Sequence, residues 1–378
     1  MTLYLDNAAT TPVRREVLEA MAPYLTRWFG NPSSTHEVGE AAATALADAR
    51  TRVAAVLGMR TRDVLFTSGG TESNNAAVKG IALGALPRGR RHVVTTAIEH
   101  ESVLASADYL HRLHGFDVTH APVDGDGVLT PAALAAALRD DTALVSVGYA
   151  NNEVGTVQDV AALAAVAHER GVPVHVDAVQ AAGWLPLADL GADALTIAGH
   201  KIGAPKGTGI LAVRGRVPLE PLLHGGGQEG GRRSGTPDVA GAVALATALE
   251  LAEGERVAEA ERVSAIRDAF IARVCTLVPG ARLTGHPTRR LPGTASFVFP
   301  GVNGETVLLE LERRGVVSSS GSACAAGSDE ASHVLLALGI AHDDARTAVR
   351  FTVPHGLRDD LRPVADAVAA SVAAVQSA

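Results

Sequence analysis

The chain has 378 residues, of which 47% are hydrophobic and 20% charged, and its formal net charge at pH 7 is -8. These values are ordinary for a globular protein, and the acidic balance with 3% aromatic residues argues against a nucleic-acid-binding surface. Only two cysteines exclude a disulfide framework, no apolar run is long enough for a membrane span, and residues 1–12 lack the parts of a signal peptide. We therefore expect a cytoplasmic protein with one large domain and a smaller partner domain.

Short apolar runs alternate with helical stretches in the first two thirds of the chain. This alternation predicts an α/β fold with a mainly parallel sheet covered by helices, and the nearly continuous apolar strands indicate burial on both faces. The predicted strands are Val64–Thr67, Val93–Thr96, Leu144–Val147, Val172–Val176, Ala194–Ala198 and Gly209–Val213, with helices over Glu72–Ile81 and Val160–Arg170.

The last third of the chain predicts a second domain. The Ala-, Glu- and Arg-rich stretch Ala242–Val274 has helical periodicity and is expected to link the two domains. Further strands are predicted over Gly293–Phe299 and Val316–Ser318, and helices over Val334–Leu338 and Leu361–Ala374. We predict a large domain of residues 15–255, and a small α+β domain of residues 1–14 with 256–378.

Lysine is scarce: the only three are Lys79, Lys201 and Lys206. Lys201 lies among glycines just after a predicted strand, and ligands of open α/β sheets bind beyond the carboxyl ends of the strands. A lysine held there close to other groups can lose its proton and act as a nucleophile. Lys201 is the first candidate and Lys206 the rival, whereas Lys79 lies in a helix where a surface role is expected.

Asp177 closes a buried apolar strand. A carboxylate there is costly to bury unless it is paired, and a protonated pyridine nitrogen would be a suitable partner. A helix N-cap or a structural ion pair is the alternative. His100 ends another strand, where its imidazole could stack on a flat ring, although a lone histidine is more often structural.

Ser68–Glu72 follows a strand and opens a helix. Backbone N–H groups and the helix dipole favour an anion at such a corner, so a phosphate would suit it. The segment matches neither the Walker nor the dinucleotide pattern.

Cys324 has small neighbours throughout residues 316–328. We predict an exposed thiol on a mobile loop of residues 318–328, which suits a nucleophile that must move. Ser328 is expected to cap the helix that follows. Cys275, in contrast, is predicted to pack in the core.

Two further segments carry basic residues. Arg350 lies inside an apolar run, where its fork could bind a substrate carboxylate or form a structural ion pair. The Gly-rich loop Leu222–Thr236 is similar to an esterase loop, but no G-x-S-x-G motif is present, so a second phosphate contact or a subunit junction is preferred.

His111 and His114 lie one helical turn apart without acidic or cysteine ligands, which disfavours a metal enzyme.

Taken in order and at their spacing, several motifs resemble the cysteine desulfurases of the NifS/IscS type, in the class-V aminotransferase group with the type I fold of pyridoxal 5'-phosphate (PLP) enzymes. The resemblance covers nearly the whole chain. It depends on Tyr4–Pro12, Phe29–His36, Phe66–Asn75, Asn151–Gly155, Asp177–Gln180, Gly199–Lys201, Arg233–Thr236 and residues 319–324.

The resemblance implies a seven-stranded PLP domain, a small domain and a homodimer. Catalytic roles are implied for Lys201 as the Schiff-base lysine, Cys324 as the sulfur acceptor and His100 as the ring-stacking group. The implied cofactor and substrate ligands are Gly70, Thr71 and His200 for the phosphate, with Thr236 from a second subunit; Asp177 and Gln180 for the ring; and Asn152 and Arg350 for the carboxylate. The substrate would be L-cysteine, and an iron–sulfur scaffold or a thiolation protein would accept the sulfur.

Two positions depart from the family pattern. Ala198 stands where a serine is common, so one hydroxyl contact to the phosphate is absent, and residues 352–356 replace the usual segment after Arg350. Three alternatives stay open: another class-V PLP aminotransferase, a selenocysteine lyase-like enzyme, and a non-catalytic scaffold, which the set of Lys201, Asp177 and His100 disfavours.

Overall fold

The structure is a computed structural model that describes residues 2–321 and 330–377. Cys324, Ser328 and most of the predicted loop of residues 318–328 lie outside the described residues. In chain order the strands are β1 Leu3–Tyr4, β2 Val64–Thr67, β3 His92–Thr96, β4 Asp117–Ala121, β5 Thr142–Gly148, β6 Val174–Asp177, β7 Ala194–Ala198, β8 Gly209–Val213, β9 Arg282–Leu283, β10 Thr294–Val298, β11 Val316–Val317 and β12 Ala348–Thr352.

Helices alternate with these strands. They are α1 Arg15–Thr26, α2 Glu37–Leu57, α3 Gly70–Gly84, α4 Glu101–His114, α5 Pro131–Ala137, α6 Val160–Glu169, α7 Val239–Leu277, α8 Gly304–Arg313, α9 His333–Ala337, α10 His342–Ala345 and α11 Arg362–Gln376. Among the described residues, no helix has both the length and the apolar character needed to cross a bilayer.

The large sheet has seven strands in the order β2-β8-β7-β6-β5-β3-β4. Strand β8 runs antiparallel to both β2 and β7, and the remaining pairs are parallel. Strands β3, β6 and β7 are buried along their whole length because helices cover both faces. The predicted mainly parallel seven-stranded sheet is confirmed, and the carboxyl ends of its parallel strands meet at one edge.

A smaller antiparallel sheet has the order β12-β10-β9, and β1 pairs in parallel with β11. A separate hydrophobic cluster, which includes Phe270, Phe297 and Phe351, packs behind this sheet. The predicted boundary at residues 255 and 256 falls inside α7, whose 39 residues run past both sheets. The division into two domains at that position stays a prediction.

The prediction that Cys275 packs in the core was wrong. The structure places this residue on the exposed side of α7. The buried stripe of this helix end runs through Phe270, Val274 and Val278, at the spacing of one helical turn. Cys275 is one residue beyond that stripe and therefore faces solvent.

Candidate active site

A cavity of about 420 Å³ opens at the carboxyl edge of the large sheet and is closed on its other side by residues near the small sheet. The carboxyl ends of β3, β5, β6 and β7 meet at this edge, so side chains that follow these strands converge there. Of the residues singled out in the sequence, those that line the cavity are His100, Asn152, Asp177, Gln180, Lys201 and Arg350.

Lys201 reaches the cavity from a short 3-10 turn, Gly199–Lys201, that directly follows β7. Its Nζ donates to the carbonyl oxygen of Ala9 at 2.8 Å and also to that of Ala8. These two carbonyls belong to the N-terminal segment that crosses the edge of the large sheet. The amine is therefore held by backbone acceptors at the cavity surface.

Asp177 is the last residue of β6 and only 8% exposed. Its Oδ2 accepts a hydrogen bond from Nδ2 of Asn74 at 2.6 Å, and its Oδ1 accepts one from the backbone N–H of Val179 at 3.0 Å. The cost of burying the carboxylate is thus offset by two donors, and the group still lines the same cavity as Lys201.

His100 and Gln180 border the space beside Asp177 and Lys201. His100 caps the N-terminus of α4, where its Nδ1 accepts from the backbone N–H of Ser102 at 3.1 Å. Gln180 donates from Nε2 to the carbonyl oxygen of Ala8 at 3.1 Å. Together with Asp177 and Lys201, these side chains form what we call the large-sheet wall of the cavity.

Glu99 also lines the large-sheet side, and the sequence analysis did not select it. Burial raises the pKa of Glu99 to about 8, and the nearby charge of Asp177 adds to that increase, while the hydroxyl of Thr96 opposes it. Thr96 Oγ1 donates to Glu99 Oε1 at 2.6 Å. At pH 7 the Glu99 carboxyl is therefore neutral. The signal was available, since Glu99 follows a buried strand just as Asp177 ends one.

An open recess adjoins the cavity at Ala9 and is lined by Ser68–Glu72, His200, Lys206 and Gly207. Helix α3 begins here without a side-chain cap after Gly69, whose φ of 151° favours glycine. A Cβ on Gly70 would lie 2.9 Å from Cγ2 of Val179 and 3.3 Å from Cβ of Ala198. Gly70 thus lets the helix start pack against the end of the sheet. A helix N-terminus beside a lysine favours an anion.

His200 lines this recess as a neutral imidazole. Burial lowers its pKa to about 4, and the charges of Lys201 and Lys206 add to that decrease. Its Nδ1 lies 3.1 Å from Oγ1 of Thr10. Ala198, where the family often has serine, packs against the start of α3 and brings no hydroxyl to the recess.

Arg350, from β12 of the small sheet, closes the cavity opposite the large-sheet wall. It is 1% exposed, and its Nη1 donates to the carbonyl oxygens of Asn152 at 2.9 Å and Gly321 at 3.0 Å. Its Nη2 pairs with Oδ1 of Asp6 at 2.7 Å. Within the part of the chain that the structure describes, its buried Nε has no hydrogen-bond partner. We call Asp6, Arg350, Glu153 and Ser332 the small-sheet wall.

Glu153 and Ser332 form a second contact in the small-sheet wall. The hydroxyl of Ser332 donates to Oε2 of Glu153 and also caps α9. Burial raises the pKa of Glu153, although the hydroxyl of Ser332 and the charges of His333 and Arg350 oppose that increase. Neither Glu153 nor Asp6 was selected from the sequence, because their partners are far away along the chain.

Thr236 does not line the cavity. It borders a neighbouring recess that shares Ser68 and Gly207 with the anion recess. Two ion pairs hold its loop: Arg233 with Glu72 at 2.9 Å, and Arg50 with Glu229 at 2.6 Å.

Among the residues described, no group of three or more His, Cys, Asp or Glu side chains could hold a metal ion.

Comparison with known protein families gives a match over residues 3–353 to the model described as aminotransferase class-V. Among curated proteins, the cysteine desulfurase IscS of Dictyoglomus turgidum is 43% identical over 353 residues, which cover 93% of this chain and 89% of the relative. The IscS-like cysteine desulfurase of Mycobacterium tuberculosis is 45% identical over 361 residues, which cover 93% of this chain and 91% of the relative.

The chain also superposes on solved structures over most of its length. A NifS-like protein superposes with a TM-score of 0.89 at 36% identity, covering 100% of this chain and 99% of its own. A structure of SspA in complex with cysteine superposes with a TM-score of 0.82 at 36% identity, covering 94% of this chain and 99% of its own.

Proposed function

We infer that this chain, which belongs to the aminotransferase class-V family, is a PLP-dependent cysteine desulfurase. The observation that carries this conclusion is the convergence of the Lys201 amine and the Asp177 carboxylate on one cavity of about 420 Å³, with an anion recess next to it. The relatives described above are named as cysteine desulfurases, which supports the same activity for this chain.

The residues present fit PLP. The recess at the start of α3 offers helix N–H groups, His200 and Lys206 to the phosphate, together with Gly70 and Thr71. The buried carboxylate of Asp177 suits a protonated ring nitrogen, and Gln180 and His100 line the space for the ring. Lys201 supplies the amine that would bind the aldehyde. When bound, PLP supplies an electron sink for the electron pair left at a substrate carbon.

Binding of L-cysteine would use both walls of the cavity. Arg350 and Asn152 are proposed to hold the substrate carboxylate, because both line the cavity and Arg350 brings a positive charge to it. The amine of Lys201 would then take the proton from Cα. Because Glu99 is neutral at pH 7, the large-sheet wall carries the single negative charge of Asp177 at the ring nitrogen.

Cys324 is proposed as the sulfur acceptor, although it lies outside the described residues. Its thiolate sulfur would bond to the substrate sulfur while the Cβ–S bond of the substrate breaks. The electron pair of that bond stays with the carbon, which gains a proton, so the products are L-alanine and a persulfide on Cys324. Atoms and electrons balance without an external oxidant. The persulfide would pass its sulfur to an acceptor protein, such as an iron–sulfur scaffold or a thiolation protein.

A homodimer is also proposed, with Thr236 of one subunit completing the phosphate site of the other. Support comes from the position of Thr236, which lies next to the anion recess but outside the lining of the cavity in its own chain. The ion pairs from Arg233 and Arg50 hold its loop at the surface near that recess.

The test is to incubate the full-length protein with L-cysteine and a reducing thiol and to quantify alanine and sulfide. We expect equal amounts of both from the wild type, and bound, coloured cofactor without sulfide release from Cys324→Ala. Cys275→Ala is the matched control and should keep the wild-type rate. Full sulfide release by Cys324→Ala would refute the role of that thiol.

A further inference from the structure

A chain of hydrogen bonds joins His100 to Asp177 through Asn74 and Ser102. Asn74 lies at the start of the second turn of α3 and Ser102 in the first turn of α4, and both helices begin at the edge of the large sheet where β6 ends. Asn74 is 2% exposed and Ser102 is 7% exposed. The contact is therefore sequestered from water behind the cavity.

The distances define the chain. Nδ2 of Asn74 lies 2.6 Å from Oδ2 of Asp177 and 2.9 Å from Oγ of Ser102. Oγ of Ser102 lies 2.8 Å from Nδ1 of His100. One amide group thus contacts both the carboxylate and the hydroxyl that reaches the imidazole.

Chemistry fixes the direction of each hydrogen bond. Asn74 cannot be flipped, because its carbonyl oxygen would then face the carboxylate of Asp177, so its two amide hydrogens go to Asp177 and Ser102. Since Oγ of Ser102 accepts, its own hydrogen is left for Nδ1 of His100. The backbone N–H of Ser102 also donates to that nitrogen at 3.1 Å. Nδ1 of His100 therefore accepts, which places the ring hydrogen on Nε2.

The side-chain carbonyl of Asn74 indicates which part of this residue the site uses. Its Oδ1 is buried and has no hydrogen-bond partner among the described residues. A buried acceptor without a partner lowers stability, and an apolar side chain of the same shape would avoid that loss. The N–H donors of Asn74, rather than its packing, are what the site uses.

We propose that Asn74 is a positioning residue. Its side-chain amide holds the carboxylate of Asp177 in position for the cofactor and, through the hydroxyl of Ser102, does the same for the imidazole of His100. The role in cofactor binding rests on the proposed function, whereas the hydrogen-bond chain does not. Asn74→Leu removes both donors. Ser102→Ala removes the hydroxyl that links Asn74 to His100 but keeps the backbone N–H of residue 102, and Ser102→Thr keeps the hydroxyl. Asn75→Leu is the matched control, because Asn75 bonds to Thr71 and Lys79 on the outer side of the same helix.

The first experiment is nitrogen NMR of full-length protein with labelled histidine, with cofactor bound and after its removal. The chain has 14 histidines, so His100→Gln identifies the resonances of interest. In wild type we expect hydrogen on Nε2 and a hydrogen-bonded, unprotonated Nδ1. Asn74→Leu and Ser102→Ala should move the Nδ1 resonance toward that of a free imine nitrogen, and Ser102→Thr and Asn75→Leu should not. A protonated Nδ1 in wild type, or no shift in Asn74→Leu, would overturn the proposal.

The second experiment titrates the cofactor-free protein with PLP and follows its absorbance. Asn74→Leu should weaken binding by about tenfold, the effect of losing one hydrogen bond to a charged group, while Ser102→Ala should weaken it less. Asn75→Leu should bind like the wild type. Equal PLP affinities for Asn74→Leu and wild type would contradict the positioning role. A protein that shows the NMR shifts but makes no alanine from cysteine would instead contradict the proposed function alone.

Discussion

The two walls of the cavity differ in how completely their charged side chains are hydrogen-bonded. In the large-sheet wall, Asp177 has two donors and Lys201 has backbone acceptors in the N-terminal segment, so each charged group has hydrogen-bond partners. In the small-sheet wall, Arg350 pairs with Asp6 yet keeps a buried Nε without a partner among the described residues. The difference indicates that the first wall is preorganised around a resident group, whereas the second brings the positive charge of Arg350 to the cavity for an incoming carboxylate.

This comparison predicts that changes to the large-sheet wall lower kcat, and that changes to the small-sheet wall raise KM. An interaction that acts in the transition state changes kcat, whereas one that acts equally on bound substrate and transition state changes KM.

Lys201→Ala should lose the most activity, because it removes the amine that is proposed both to bind the aldehyde and to take the Cα proton. We expect alanine formation to fall by about 10³-fold or more. Borohydride reduction of the loaded protein should leave no cofactor on the chain, as judged by mass spectrometry of peptides. Lys206→Ala is the control and should retain the label on Lys201. A label on Lys206 in the Lys201→Ala protein would move the assignment to that residue.

Asp177→Asn removes the charge that is proposed to face the ring nitrogen. Removing one partner of a buried ion pair costs about 3–5 kcal/mol, so kcat should fall by about 10²- to 10⁴-fold while KM for cysteine changes little. Steady-state kinetics at saturating cofactor separates the two constants. An increase in KM at unchanged kcat would break the comparison between the walls.

Arg350→Gln tests the small-sheet wall. Loss of a charged, forked donor for the carboxylate should raise KM for cysteine by about 10- to 100-fold with a smaller change in kcat. Arg273→Gln is the control, since Arg273 forms only an exposed pair with Asp366. Should Arg350→Gln show wild-type KM, the guanidinium serves only as the structural partner of Asp6.

Of these changes, Glu99→Gln should have the smallest effect on activity at pH 7, because the Glu99 carboxyl is already neutral there. Its pKa is raised from 4.5 to about 8 in the folded chain, so the folded state binds one more proton than the unfolded state between these values. Its contribution to stability is present below pH 4.5 and is lost as the pH rises to about 8.

Denaturant unfolding of wild type and Glu99→Gln at several pH values measures this contribution. The stability of the wild type relative to the variant should fall as the pH rises from 5 to 8, by at most about 1.4 kcal/mol per pH unit. A constant difference across this range would mean that Glu99 is ionised in the fold, with two negative charges in the large-sheet wall.

The large-sheet wall was the part of the site that the sequence could predict. Lys201 and Asp177 each follow a buried apolar strand, and strand ends of a parallel sheet meet at one edge, so local patterns are sufficient. Glu99 obeys the same rule at the end of β3 and could have been found with it.

In the small-sheet wall, Arg350 was predicted from its place in an apolar run, but the partners of its residues could not be. The hydrogen bond between Arg350 and Asp6 joins residues 344 positions apart, and that between Glu153 and Ser332 joins residues 179 apart, so no local pattern carries either. Cys275 shows a different limit, because a shift of one residue around a helix turns a side chain from core to solvent.

The most direct test of the account is mass spectrometry of the full-length protein after incubation with L-cysteine, without reducing agent, followed by digestion. The account predicts one added sulfur on the Cys324 peptide, none on the Cys275 peptide, and none on either in Lys201→Ala. An unmodified Cys324 peptide in wild type that nevertheless turns cysteine into alanine, or added sulfur on Cys275 alone, would contradict it.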